Sequence, residues 1–160
     1  MEQVILVDSE NNQVGTMEKM EAHRKGLLHR AFSIFIFNSV GEMLLHKRAD
    51  RKYHCGGMWT NAVCSHPRPG EHQSQAMERK MQQEMGFSTE VNKAFDFTYR
   101  AVLENGLIEH EYDEVFYGIF EGELSPNPEE VQAYRYTSIQ EIREEIQLNP
   151  DLFTPWFRLL

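Results

Sequence analysis

Thr98-Tyr99-Arg100-Ala101-Val102-Leu103-Glu104-Asn105-Gly106-Leu107-Ile108-Glu109-His110-Glu111-Tyr112 carries at Asn105-Gly106 a strong short-range signal for a reversal between two strands. Glu90 to Leu103 and Leu107 to Glu121 therefore read as two long antiparallel strands. Side chains alternate across a strand, so Glu109 and Glu111 share one face and His110 takes the other. Two carboxylates on one inner face repel each other unless a cation joins them. The hairpin thus supplies both a sheet and a candidate cation site on it.

The same pattern extends outward. Gln3 to Val7, the turn-rich Asp8 to Asn12 and a restart at Val14-Gly15 predict an N-terminal strand and hairpin. Ala31 to Phe37 is aromatic and β-branched on both faces, which suits a buried strand, and Met43 to Arg48 follows across Asn38 to Gly41 as its expected hairpin partner. Residues 49 to 58 have no clear period and form a basic loop. Gln73 to Met85 is built from helix formers, with Met77, Met81 and Met85 on one face and Gly86 placed to stop the helix. Val131 to Tyr136 predicts a last strand. Ser138 to Glu141 has capping-box spacing for a helix to about Leu148. Hairpins mixed with a few helices predict an α/β or α+β sandwich around one mixed sheet, as one domain over residues 1–160.

Composition narrows the partners. Hydrophobic residues make up 41% and charged residues 26%, a globular balance. The net charge of −9 repels nucleic acid and anionic membranes, so an anionic ligand needs a local basic pocket. Only Cys55 and Cys64 are present, and MEQVILVDSE lacks the basic and apolar regions of a signal peptide, which together predict a reducing cytoplasm. The apolar run Ala31 to Phe37 is far shorter than the roughly 20 residues of a membrane-spanning helix.

Several residues are suited to chemistry. His23, His29 and His66 with Glu109 and Glu111 would make a three-imidazole, two-carboxylate site for Mn or Zn; the plainer reading is a set of solvated side chains. Cys64 and His66 face one side of a short strand. They read as a nucleophile–base pair, as a thiol beside a metal ligand, or as a small buried hydrophobe near a histidine. Lys19, Arg48, Lys52 and Arg79-Lys80 would suit a phosphate, or remain solvated cations. Trp156 reads as a core aromatic or as a π face beneath a cationic intermediate.

Trp59 to Pro67 (WTNAVCSHP), with Arg48, Lys52, Glu109-His110-Glu111 and Thr154-Pro155-Trp156, resembles the type I isopentenyl-diphosphate delta-isomerases over Leu6 to Trp156. The resemblance implies a Nudix α/β/α sandwich and the interconversion of isopentenyl and dimethylallyl diphosphates in isoprenoid biosynthesis. It implies His23, His29, His66, Glu109 and Glu111 as ligands of Mn2+ or Zn2+, and Glu84 with the Cys64 carbonyl as the site of a Mg2+ that also holds the diphosphate. Cys64 and Glu111 become the proton carriers, with Glu111 expected to deliver and Cys64 to act on the opposite face, the reverse order being open. Lys19, Arg48, Lys52, Arg79 and Lys80 become substrate cations, and Tyr99 and Trp156 the pocket aromatics.

Glu71, Arg79, Glu84, Gly86 and Phe87 occupy their places in a Nudix box, but Lys80 and Gln83 stand where the hydrolases carry glutamates and Ser65 replaces its first glycine. Losing two carboxylates removes much of a water-activating Mg cluster, so hydrolysis is the lesser expectation and a non-catalytic metal module the third. Gly56 replaces a proline common in the resembling family, and four residues follow Trp156 where many members extend a C-terminal helix.

Overall fold

The computed structural model describes residues 1–160. Nine strands form one mixed sheet: β1 (Gln3–Val7), β2 (Gln13–Glu18), β3 (His29–Phe37), β4 (Met43–Arg48), β5 (Trp59–Thr60), β6 (Val63–Ser65), β7 (Asn92–Val102), β8 (Ile108–Ile119) and β9 (Val131–Thr137). Helices α1 (Lys19–Lys25), α2 (Gln73–Lys80), α3 (Ile139–Leu148) and α4 (Pro155–Arg158) complete it.

β3, apolar on both faces, is the central strand. It runs parallel to β8 from His29↔Glu111 to Phe37↔Ile119 and antiparallel to β6 through Ser33↔Cys64. The predicted β3–β4 hairpin survives only at Phe37↔Met43, after which β4 pairs with β9 and β5. A strand apolar on both faces suits the middle of a sheet covered on both sides, where it takes partners on both edges. The β7–β8 hairpin forms as read, with Glu109 opposite Ala101 and Glu111 opposite Tyr99.

Two apolar layers flank the sheet. Met77, Met81, Met85 and Phe87 pack with Phe32, Ile34, Ile36 and Leu44 on one side; Ile142, Phe153, Trp156 and Phe157 pack with Met43, Leu45 and Tyr99 on the other. The helix expected over Gln73 to Met85 is α-helical only to Lys80 and then widens into a π turn over Met81–Met85. All three methionines stay buried, and Glu84 is buried with them. Such one-turn widenings are often found at functional sites. Gly86 closes the turn at φ 66°, where an added Cβ would lie 2.5 Å from the Ser125 carbonyl oxygen, so only glycine fits. No helix is long and apolar enough to cross a membrane.

His46 on β4 is 2% exposed, and its Nδ1 lies 3.0 Å from the Ala62 carbonyl. Burial, helped by Arg48, pushes its pKa down to about 3. The fold therefore holds this imidazole neutral, while the unfolded chain protonates it near 6.5. Stability is fully present above pH 6.5 and is lost as pH falls from 6.5 towards 3, with a slope approaching roughly 1.4 kcal/mol per pH unit from this group. Urea unfolding at pH 7 and pH 5 should show this loss in the wild type and a shallower one in His46→Gln.

Candidate active site

The inward face of the β7–β8 hairpin meets the first residue of α1 and the end of β6 at a cavity of about 100 Å³, with His23 and His29 behind its lining. Glu109 and Glu111 are both buried on that face. His110, on the other face, turns its Nδ1 to the Gly26 carbonyl at 2.9 Å. The strand alternation thus places the residues as the sequence predicts.

Each imidazole reaches the carboxylates from a different element. In the last turn of α1, His23 is fixed by Nδ1, 2.7 Å from the Lys19 carbonyl, with Nε2 3.2 Å from Glu109 Oε1. His29 opens β3, with Nδ1 2.9 Å from the Leu27 carbonyl and Nε2 3.3 Å from Glu111 Oε2. His66, just beyond β6, brings Nε2 within 2.6 Å of Glu111 Oε2. A carbonyl accepts only from an N–H, so Nδ1 of His23 and His29 carries the proton and a neutral ring leaves a lone pair on Nε2. These lone pairs face carboxylate oxygens in a buried space, and His29 Nε2 has no hydrogen-bond partner. A divalent cation resolves that repulsion, and the donor set of imidazoles and carboxylates fits one.

Burial and Glu111 push Glu109 up, but contacts with His23 and His54 outweigh them and hold its carboxyl below the usual range. Burial likewise opposes ionisation of Glu111, while the close approach of His29 and His66 holds it well below that range. Tyr99 Oη donates to Glu111 Oε1, and burial beside that charge raises the hydroxyl well above its ordinary value. Burial pushes the Cys64 thiol up to about 12, against the opposing charge of Arg48.

Cys64 also lines the cavity, on β6, with β3 between it and Glu111 on β8. Cys64 is opposite Ser33 and Glu111 is opposite His29, so the two stand two strand spacings apart across the sheet and four residues apart along it. Of the predicted cations, Lys19, Arg48, Lys52 and Lys80 line the cavity. Lys19 pairs with Glu2 at 3.1 Å, Lys80 with Glu84 at 3.1 Å, and Lys52 with Glu130. Arg79 is not brought to the cavity lining. It grips Glu71 with two bonds of 2.9 Å and holds that carboxyl down at about 2. Adjacent helical residues point about 100° apart, so only one of the Arg79-Lys80 pair can face inward. Trp156 closes one wall, 4% exposed, with the Arg48 guanidinium 5.5 Å from its ring.

The sequence reading missed Glu2, Tyr53, His54 and Glu130 on the lining. It also missed Asp113 beneath it, which accepts from Ser33 Oγ at 2.8 Å and is pushed well above the carboxylate range by burial and by Glu111. Asp113 was findable, since it continues the 109, 111, 113 alternation. The loop residues carry no periodic signal.

The chain matches the NUDIX domain over residues 27–157. It is 48% identical over 156 residues to the isopentenyl-diphosphate Delta-isomerase of Serratia proteamaculans, covering 98% of this chain and 87% of that protein. The chain belongs to the isopentenyl-diphosphate Delta-isomerase family, on the Nudix fold. A second isomerase of this family, from Pectobacterium atrosepticum, is 48% identical over 98% of this chain and 88% of its own length. Solved structures agree on the fold. A Deinococcus radiodurans protein superposes with a TM-score of 0.78 at 16% identity, covering 92% of this chain and 90% of its own. A MutT protein from Methanosarcina mazei gives 0.67 at 18%, covering 82% and 88%. The Nudix-type sandwich expected from the sequence is therefore the fold, and the isomerases share nearly the whole chain.

Proposed function

We propose that the chain interconverts isopentenyl and dimethylallyl diphosphates, the activity named for its 48% identical relatives. The observation that carries this reading is that Cys64 and the hydrogen-bonded Tyr99–Glu111 pair, two separate groups able to carry protons, line one cavity with Trp156 and four cations. An unactivated alkene is a weak base, so isomerisation needs a proton delivered at C4, tolerance of positive charge at C3 and a proton removed at C2. Positioned carriers typically contribute about 100- to 10,000-fold each.

In this reading the Tyr99–Glu111 pair serves C4 and Cys64 serves C2. The π face of Trp156 lowers the energy of the tertiary cation between them, by roughly 0.5–2 kcal/mol. Lys19, Lys52 and Lys80 exchange their carboxylate partners for diphosphate oxygens; the buried Arg48 Nε has no partner and is a ready donor. Arg79, through Glu71 and the His66 carbonyl at 3.5 Å, braces the segment that carries His66. Burial favours a proton on the Cys64 thiol and the imidazole contacts favour an ionised Glu111, the arrangement that dimethylallyl diphosphate requires. Turnover of isopentenyl diphosphate begins once that proton has moved to the Tyr99–Glu111 side.

His23, His29, His66, Glu109 and Glu111 would hold one Mn2+ or Zn2+, and Glu84 with the Cys64 carbonyl a Mg2+ that accompanies the substrate. Such ions would neutralise diphosphate charge and fix and acidify the Glu111 carboxyl. Hydrolysis is disfavoured because Lys80 is paired with Glu84 and Gln83 is exposed, leaving no run of glutamates to gather Mg2+. Purified protein given isopentenyl diphosphate or nucleoside diphosphates with Mg2+ should release no inorganic phosphate from either. Phosphate release at turnover rates would reverse the assignment. The active compartment in this reading is the cytoplasm, and the partner is the small prenyl diphosphate.

A further inference from the structure

His54 lies in the loop between β4 and β5 and is 7% exposed, yet the isomerase reading gives it no task. Its Nε2 contacts Glu109 Oε1 but is not aligned for a hydrogen bond, so this buried nitrogen is unpartnered. Only two histidine nitrogens in the chain are buried and unpartnered in this way: Nε2 of His54 and Nε2 of His29. The ligand atoms of His54, His23 and Glu109 lie within 4.8 Å of one another, as do those of His23, His29 and His66. Ligands on opposite sides of an ion, with bonds of about 2.1 Å, stand about 4.2 Å apart, so atoms at this spacing need only a small shift to share one ion, and His23 and Glu109 link His54 to the other ligands. The His54 and His23 rings are 5.7 Å apart between centroids. On its far side, His54 offers its carbonyl to Arg48 Nη2 at 3.2 Å, while Nδ1 lies 3.3 Å from the same nitrogen. The carbonyl therefore satisfies Arg48 whichever ring nitrogen carries the proton.

We propose that His54 is a sixth ligand of the metal centre, giving it a fourth imidazole and a preference for Zn2+ over Mn2+. The inference rests on the five-ligand site of the proposed function. Imidazole favours the later transition metals, whereas carboxylates suit Mn2+ and Mg2+. Losing His54 should therefore weaken Zn2+ more than Mn2+, a selectivity that a merely structural role would not move.

The test is competitive titration of metal-free wild type, His54→Ala and His66→Ala with Zn2+ and with Mn2+, together with X-ray absorption at the zinc edge of the loaded wild type. Expected are four imidazoles around zinc in the wild type, and a zinc Kd raised at least about tenfold in His54→Ala with a smaller change for Mn2+. Three imidazoles, with equal or no loss of both metals in His54→Ala, would overturn the assignment; if His66→Ala then loses the metal, the five-ligand site stands. Failure of the wild type to bind either metal removes both readings together. The absorption measurement uses unaltered protein and decides even if His54→Ala does not fold.

Discussion

Replacing Cys64 by alanine is expected to lower turnover of isopentenyl diphosphate by about 100- to 10,000-fold, the contribution of one positioned proton carrier. The substitution removes a single sulphur from a half-buried position on β6 and touches none of the imidazoles or carboxylates of the metal site. Metal content and KM should therefore stay near wild type, which separates lost chemistry from lost binding. The carrier at C4 remains, so Cys64→Ala should still exchange hydrogen at C4 of isopentenyl diphosphate with deuterated solvent while C2 exchange disappears. Proton NMR reads both positions. Retained exchange at C2 with loss at C4 would assign the two carriers the other way round.

Glu111→Gln should fail differently, and at least as severely. Glu111 receives the Tyr99 hydroxyl on one oxygen and lies within 2.6 and 3.3 Å of His66 and His29 with the other. An amide keeps the shape but presents no charge to those imidazoles and cannot carry the proton. Turnover should drop by at least about 1,000-fold, and a weaker first-row metal occupancy should accompany it, measured by elemental analysis after dialysis. Wild-type metal content combined with wild-type turnover would show that Glu111 neither binds the ion nor moves the proton. Together the two variants separate the halves of the site: one loses proton transfer with its metal intact, the other loses both.

Much of this was legible in the chain because the informative residues sit on regular elements. Asn105-Gly106 fixes the hairpin register, and a period of two then determines that Glu109, Glu111 and Asp113 point inward. Doubly apolar Ala31 to Phe37 marks the central strand. Which neighbours it takes was not legible, because pairing with β6 and β8 is a long-range choice that local pattern cannot rank against the adjacent hairpin. The π turn escaped for a related reason. It keeps the apolar face of an α-helix while shifting a hydrogen bond, so composition reads the same for both. Arg79 and Lys80 are neighbours of like charge, and only the phase of the helix shows that Lys80 faces the cavity while Arg79 turns to Glu71. His54 lies in a loop with no period, and only folding brings it to Glu109, 55 positions further along the chain.

The most direct measurement is NMR of the wild-type reaction in deuterated water, with isopentenyl diphosphate, Mg2+ and a trace of Mn2+ or Zn2+. Dimethylallyl diphosphate is expected with its diphosphate intact and deuterium in the methyl group derived from C4. Isopentenyl monophosphate or free phosphate with an unlabelled carbon skeleton, or no product with any of these metals, would contradict it.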